Sequence, residues 1–242
     1  MKTTKIEWTD RTWNPITGCT KHSAGCAHCY AETMARRLCS MHLPKYKNAF
    51  NLTLHPEALE EPKQWKNGHN IFVCSMSDLF HEQVPFEFVE KVMNTIEATP
   101  QHRYQLLTKR PERMAEYFRT HPVPNNAWLG TTVENTDSKK RIAELQSIPN
   151  VSVRFLSCEP LLEDLGSLDL KGIHWVIVGG ESGPLARPMK PEWVSNIWEQ
   201  TKKAKVAFFF KQWGTWGPDG VKRSKHANGK LLEGHIRQKM PK

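Results

Sequence analysis

Three cysteines, Cys19, Cys26 and Cys29, lie within eleven positions in the segment CTKHSAGCAHCY. A disulfide uses two thiols and a structural zinc site uses four ligands, so this trio fits neither by itself. Thiolates suit both zinc and iron–sulfur clusters, and a cubane held by three of them keeps one iron open for a cofactor. Zinc would need a further ligand, such as His22 or His28. An open-site cluster, a zinc site and no metal are the alternatives, and the cluster is favoured because no second CxxC or HxxxH occurs.

The charge of the chain indicates a polyanionic partner. The 242 residues carry a formal net charge of +9, and basic proteins gain binding free energy by releasing counterions from phosphates. The nine tryptophans include candidates for base stacking, although most tryptophans pack in cores. The sequence therefore predicts a nucleic-acid partner without distinguishing DNA from RNA, and a soluble basic protein with no such role is the alternative.

The sequence predicts a cytoplasmic protein that does not enter a membrane. No apolar run approaches the roughly 20 residues that span a bilayer. The first residues, MKTTKIEWTDRTWNP, lack the apolar stretch of a signal peptide. Thiols stay reduced in the cytoplasm, so clustered cysteines there are read as metal ligands and not as bridges.

Short β-branched or aromatic runs alternate with segments of helical apolar spacing. The predicted helices cover 86–98, 111–119, 136–147 and 191–203. Strand and helix repeat every 25 to 30 residues, which is typical of parallel β/α units. With a short strand around NPITGC there are about seven strands. They fit a complete or partial (β/α) barrel of six to seven parallel strands better than an open doubly wound sheet.

Polar residues close six of the predicted strands. In a (β/α) barrel the carboxyl ends of the strands share one mouth, where active sites lie. Strand exits into solvent are the alternative explanation, but six polar endings with both charge signs favour a polar site. These endings are Ser75, Ser77 and Asp78; Thr108, Lys109 and Arg110; Thr132 and Glu134; Ser157, Cys158 and Glu159; Gly179, Gly180 and Glu181; Lys211 and Gln212.

Two segments stand outside this alternation. Residues 39–70 form a polar excursion with several prolines and an NGHN turn signal. Residues 214–242 are rich in glycine and lysine and form a basic arm for phosphates, a lid over the barrel mouth or a disordered end. The predicted organisation is a barrel domain over 1–213, with the cysteine loop at 19–29, followed by this C-terminal tail.

Eight longer stretches of the chain are distinctive: IEWTDRTWNPITGC, GCAHCYAETMARR, SMSDLFHEQVP, LLTKRPERM, WLGTTVEN, FLSCEPLL, VIVGGESGPLARPM and FFFKQWG. They resemble a phage-associated, largely uncharacterised family with a three-cysteine motif, which is similar in turn to the radical S-adenosylmethionine superfamily. The resemblance covers most of residues 6–214. It implies a radical-SAM-like barrel but fixes no substrate.

The resemblance implies a [4Fe–4S] cluster on Cys19, Cys26 and Cys29, with S-adenosylmethionine on the fourth iron. One electron from an external donor would then yield methionine and a 5′-deoxyadenosyl radical. Two positions depart from the superfamily pattern. Six residues separate the first two cysteines where three are usual, and His28 stands where an aromatic residue usually precedes the last cysteine, with Tyr30 just beyond it. Both departures keep the three ligands but make cleavage of the cofactor a weaker implication than cluster binding.

The resemblance also implies cofactor contacts, from His28 and Tyr30 beside the last cysteine and from residues at predicted strand ends. Ser75, Ser77 and Asp78 are candidates for the amino group, and Lys109 or Arg110 for the carboxylate. Thr132 and Glu134 are candidates for the ribose, Gly180 and Glu181 for the substrate or the cofactor, and Glu159 for the cofactor. Cys158 is a candidate hydrogen-atom donor, with an inert buried thiol as the alternative.

Three functions follow as hypotheses. The first is a radical enzyme that modifies or repairs a nucleic-acid base drawn into the barrel mouth. The second is a nucleic-acid-binding module whose metal is only structural. The third is radical modification of a peptide or protein, which would share every cofactor residue; a protein partner therefore stays open.

Overall fold

The computed structural model describes residues 4–241, so the first three residues of the predicted barrel domain and the last residue of the predicted tail lie outside the described residues. Eleven strands occur in this range. They are β1 Arg11–Trp13, β2 Ile16–Thr17, β3 Thr53–Leu54, β4 Asn70–Val73, β5 Arg103–Thr108, β6 Ala127–Thr132, β7 Val153–Cys158, β8 Trp175–Gly179, β9 Ala207–Gln212, β10 Leu231–Leu232 and β11 His235–Ile236.

Six α-helices alternate with these strands or follow them: α1 Tyr30–Ser40, α2 Phe86–Glu97, α3 Pro111–Phe118, α4 Arg141–Ser147, α5 Pro191–Ala204 and α6 Lys225–Asn228. The predicted helices are confirmed within one residue at most ends; the first turns of the segment at 136–147 are a 3₁₀ helix, Thr136–Lys140. Pro111 and Pro191 occupy the first turns of α3 and α5, where the missing N–H costs no hydrogen bond.

Seven strands form one sheet in the order β1-β4-β5-β6-β7-β8-β9. The pairs β1–β4, β4–β5, β7–β8 and β8–β9 are parallel. Each strand neighbours the next sheet strand along the chain, which is barrel topology, and β1 and β9 remain the two ends. The predicted fold class is confirmed, and the open order selects the partial barrel over the complete one.

The predicted first strand around NPITGC is wrong in detail. The strand that enters the sheet is β1, whose Trp13 pairs with Val73. Within NPITGC only β2 is extended, and it pairs antiparallel with β3 in a separate two-stranded sheet. A three-residue strand of sequence RTW has too little apolar alternation to be recognised in advance.

The chain divides into two compact units. Of the described residues, the first unit holds 4–22, 29–130 and 147–152, and the second holds 23–28, 131–146 and 153–241. Strands β6 and β8 are buried along their whole length, as in parallel sheets covered on both faces. Within residues 4–241, no helix has the length and apolarity needed to cross a bilayer.

The C-terminal segment, residues 214–241, is ordered against β9 in the second unit. The Phe210 N–H donates to the Arg237 carbonyl at 2.7 Å, and the Lys239 N–H donates to the Phe208 carbonyl at 2.9 Å. The Trp213 indole donates to the Leu231 carbonyl at 2.9 Å. Its role as a phosphate arm or as a lid stays a prediction.

Candidate metal and cofactor site

Cys19 lies two residues after β2, in a turn that depends on Gly18. Gly18 has a φ of 82°, and a Cβ there would lie 2.2 Å from the Asn51 carbonyl oxygen. The Gly18 N–H donates to Met76 O at 3.0 Å, and the Cys19 N–H donates to Phe50 O at 3.2 Å. The backbone on which the half-buried Cys19 thiol stands is therefore fixed.

The guanidinium of Arg110 contacts the segment that carries Cys19. Its Nη1 lies 3.8 Å from the Cys19 sulfur and 3.3 Å from Oδ2 of Asp78. Its Nη2 donates to the Thr20 hydroxyl at 3.0 Å and approaches the Thr20 carbonyl at 3.4 Å. The same hydroxyl lies 2.8 Å from Nε2 of the buried His81. A buried polar network thus holds Cys19 from one side.

Asp78, predicted to bind the cofactor amino group, is buried and engaged within the protein. Its carboxylate accepts from Phe80 N at 3.0 Å, from the Thr108 hydroxyl at 2.7 Å and from Lys109 N at 3.1 Å, besides Arg110. Four donors occupy the lone-pair directions of one carboxylate. Contact with a cofactor amino group would require one of these hydrogen bonds to open.

The other predicted residues of this strand end are also anchored. The Ser75 hydroxyl donates to Asn14 Oδ1 at 3.2 Å, and the Ser77 hydroxyl donates to the Ile16 carbonyl at 2.8 Å. The Tyr30 hydroxyl donates to the Ser75 carbonyl. Each serine uses its one proton inside the protein, so toward a ligand these hydroxyls act as acceptors.

Cys29 is the N-cap residue of α1, with extended backbone angles. Its side chain packs against Ala31, Ala35 and Met76. The first N–H groups of a helix and its dipole favour an anion at this position. A thiolate ligand at Cys29 would therefore be stabilised by its own helix.

In the second unit, Cys26 ends a 3₁₀ helix, Ala24–Cys26, whose N-cap is Ser23. The Ser23 hydroxyl lies 3.9 Å from the Cys26 sulfur and donates to the Glu134 carboxylate. A Cβ on Gly25 would lie 3.2 Å from Glu134 Oε1, so the glycine allows the loop to approach this side chain closely. Glu134 thus anchors the loop that carries Cys26.

Thr132 and Glu134, predicted ribose contacts, are joined by Arg141. Its Nη1 donates to Glu134 Oε2 at 2.8 Å and to the Thr132 carbonyl at 2.9 Å. The Glu134 and Arg141 side chains are 0% and 6% exposed, so this is a buried ion pair. Arg141 compensates the charge that would otherwise be isolated there.

Glu181 forms a bidentate pair with Arg187. The distances are 2.6 Å from Nη2 to Oε1 and 2.9 Å from Nε to Oε2, and Nη2 also reaches the Ala24 carbonyl at 3.1 Å. Burial by itself raises the pKa of the Glu181 carboxyl. The hydrogen bonds from Arg187 outweigh the effect of burial and hold this pKa below its ordinary value, and exposed His28 makes a smaller contribution in the same direction. The pair is a second anchor of the cysteine loop.

Glu159 forms an ion pair, whereas the neighbouring Cys158 is fully buried. Glu159 lies 3.1 Å from Nζ of Lys211. Cys158 is 0% exposed, and burial, followed by the nearby carboxylate of Glu159, raises the pKa of its thiol. A role as hydrogen-atom donor would require this thiol to become exposed. Gly180 allows close packing, because a Cβ there would lie 1.9 Å from the Trp213 carbonyl.

The donor set of three thiols suits a [4Fe–4S] cubane. Among residues 4–241, no three His, Cys, Asp or Glu side chains are grouped to hold one metal ion. In a cubane each thiolate binds a different iron, so the sulfurs need not meet at one point. Cys19 and Cys29 belong to the first unit and Cys26 to the second. Two intervening residues limit the Cα separation of Cys26 and Cys29 to about 11 Å.

Sequence reasoning identified the acidic side chains, Arg110 and Lys211, but not the other partners. Ser23, Thr20, His81, Arg141 and Arg187 were missed. Only Ser23 had a local signal, since a serine before a short turn of helix is a common N-cap. Arg141, at the start of α4, and Arg187, in the loop after β8, resemble surface arginines in a sequence, because their pairing becomes visible only in the folded chain.

A protein family described as "Protein of unknown function (DUF5131)" matches residues 3–241. Among curated proteins none matches the chain. The structure is similar to solved structures of spore photoproduct lyase. One complex with a dinucleoside spore photoproduct has 13% identity and a TM-score of 0.46, covering 78% of this chain and 59% of the lyase.

A lyase variant with bound AdoMet and the same dinucleoside has 12% identity and a TM-score of 0.48, covering 79% of this chain and 61% of the lyase. A third lyase variant has 14% identity and a TM-score of 0.48, covering 75% and 60%. The chain spans less than two thirds of the length of these lyases, and such identities transfer no residue role.

Proposed function

The chain belongs to the DUF5131 family, and we propose that it is a radical S-adenosylmethionine enzyme with a [4Fe–4S] cluster on Cys19, Cys26 and Cys29. The observation that carries the proposal is the set of three half-buried cysteines, not disulfide-bonded, in one loop of a partial (β/α) barrel. When bound, the cluster would supply the single electron that splits adenosylmethionine into methionine and a 5′-deoxyadenosyl radical.

The residues around the thiols support this proposal by their charge and rigidity. Arg110 places a positive charge at the Cys19 sulfur, and the start of α1 favours an anionic sulfur at Cys29. Ser23 approaches the Cys26 sulfur and is itself held by Glu134. The Cys19 and Cys29 thiolates would therefore have a cationic donor and a helix dipole, respectively, to offset their negative charge, whereas Ser23 gives its proton to Glu134.

The substrate class we propose is a nucleic-acid base, either modified or repaired. The net charge of +9 suits a polyanion. Exposed basic side chains in the C-terminal segment, including Lys222, Lys225 and Lys239, are suited to backbone phosphates. The base itself would have to leave its stack to reach a barrel mouth.

The experiment compares four alanine variants after anaerobic reconstitution with iron and sulfide. The native chain should hold about four irons and absorb light at about 400 nm. When it is reduced in the presence of adenosylmethionine, it should release 5′-deoxyadenosine. Cys19→Ala, Cys26→Ala and Cys29→Ala should each lose most of the iron and all of the cleavage. Cys39→Ala is the matched control, since Cys39 is also half-buried but lies outside the trio.

Two results would contradict the proposal. If the protein binds one zinc per chain and does not bind iron, the metal is structural. The hypothesis of a nucleic-acid-binding module then replaces the hypothesis of a radical enzyme. If a full cluster forms but no electron donor yields 5′-deoxyadenosine, radical catalysis is excluded while cluster binding stands.

A further inference from the structure

We propose that Arg110 sets the reduction potential of the cluster through the Cys19 sulfur and does not bind the carboxylate of adenosylmethionine. This inference rests on the proposed function. It replaces the prediction from strand-end position that Arg110 meets the cofactor carboxylate.

The Arg110 side chain is directed at the segment that carries Cys19. Both terminal nitrogens of the guanidinium are engaged, Nη1 by the Cys19 sulfur and Asp78, and Nη2 by Thr20. A carboxylate is recognised most strongly by two parallel N–H groups of one guanidinium. That fork is already taken up by the loop of Cys19, so a cofactor carboxylate would have to displace it.

The Arg110–Asp78 ion pair is buried. The side chain of Arg110 is 8% exposed and that of Asp78 is equally buried. Interactions between charges are screened less at such a site than in water. Asp78 holds the guanidinium in place, because its carboxylate is itself fixed by the Thr108 hydroxyl and by backbone N–H groups.

A cationic donor beside a ligand sulfur changes the reduction potential of a cluster. Reduction adds one negative charge to a cluster and its thiolates, and hydrogen bonds to the sulfurs stabilise the reduced form. Arg110 is such a donor, 3.8 Å from the Cys19 sulfur. Its removal should therefore make reduction harder. Asp78 neutralises part of the charge but leaves the N–H directed at the sulfur.

The test is a redox titration of reconstituted protein, followed by the electron paramagnetic resonance signal of the reduced cluster. Arg110→Gln should hold as much iron as the native chain and have a more negative midpoint potential. Arg110→Lys, which keeps the charge without the fork, should lie between the two. Arg113→Gln is the matched control, because Arg113 lies in the first turn of α3, just after Arg110, but donates to the Val84 carbonyl and should leave the potential unchanged.

Adenosylmethionine binding separates the two roles of Arg110. The dissociation constant in Arg110→Gln should rise by less than about tenfold, which is about 1.4 kcal/mol. An unchanged potential at full iron content would overturn the inference. A large loss of cofactor affinity without a potential shift would restore the carboxylate role. Failure of both Arg110 variants to hold iron would assign the residue to loop folding, and failure of the native chain to hold iron would refute the proposed function itself.

Discussion

At the scale of single residues, the buried carboxylates of the candidate site share one arrangement. Asp78 pairs with Arg110, Glu134 with Arg141, and Glu181 with Arg187. A buried carboxylate without a partner is costly, whereas a paired one is tolerated when its remaining lone pairs accept hydrogen bonds. These acids therefore anchor the loops and side chains with which they pair, and their role as cofactor contacts stays a prediction.

Glu134→Gln should destabilise the protein, because it leaves Arg141 buried without a counter-charge. We expect the free energy of unfolding to fall by about 3 kcal/mol, the range found when one partner of a buried pair is removed. Urea denaturation at neutral pH measures this. Iron uptake should fall as well, since Ser23 loses a charged acceptor.

Glu97→Gln is the control for that substitution, because Glu97 is exposed at the end of α2. Its effect should stay within about 0.5 kcal/mol. Equal effects of the two substitutions would show that the Glu134–Arg141 pair contributes no more than a surface charge.

At the scale of elements, most of the alternation of strands and helices follows from the sequence. Pro111 and Pro191 marked the starts of α3 and α5, and the apolar spacing between them predicted α4. The edge strand β1 could not be recognised, because its three residues gain their stability from pairing with β4, a partner more than fifty residues away. The cysteine trio was visible as a spacing, but Arg141 and Arg187 become site residues only through tertiary contacts.

The segment that follows β8 should lose its anchor in acid. In the folded protein, the Arg187 pair holds the pKa of Glu181 below its ordinary value. The pair therefore stabilises the fold fully at pH values above the pKa of Glu181 in the unfolded chain, about 4.3. This stabilisation is lost as the pH falls through the pKa of Glu181 in the folded protein. Unfolding free energies at pH 7 and pH 3 should therefore differ less in Glu181→Gln than in the native chain. An unaltered pH dependence in the variant would mean that Glu181 does not contribute to acid stability.

At the scale of the whole molecule, the net charge of +9 is unevenly distributed along the chain. From Gly214 onward there are seven Lys or Arg residues against two Asp or Glu residues. In the described part of this segment, backbone hydrogen bonds to β9 hold in place the chain that carries these basic side chains. A fixed basic surface should contact a defined number of phosphates, and that number can be counted from the salt dependence of binding.

The salt dependence of oligonucleotide binding should change when lysines of the C-terminal segment are replaced. Replacing the exposed Lys222, Lys225 and Lys239 by Gln should weaken binding of a single-stranded oligonucleotide and reduce the slope of log K against log salt by about two, because each lost phosphate contact removes about 0.7. The control replaces Lys47, Lys66 and Lys91, which are also exposed but lie in the first unit, so it changes the net charge equally. Fluorescence anisotropy over a salt series measures both. Equal slopes in the two triple variants would mean that net charge alone attracts the nucleic acid and that the C-terminal segment makes no specific phosphate contacts.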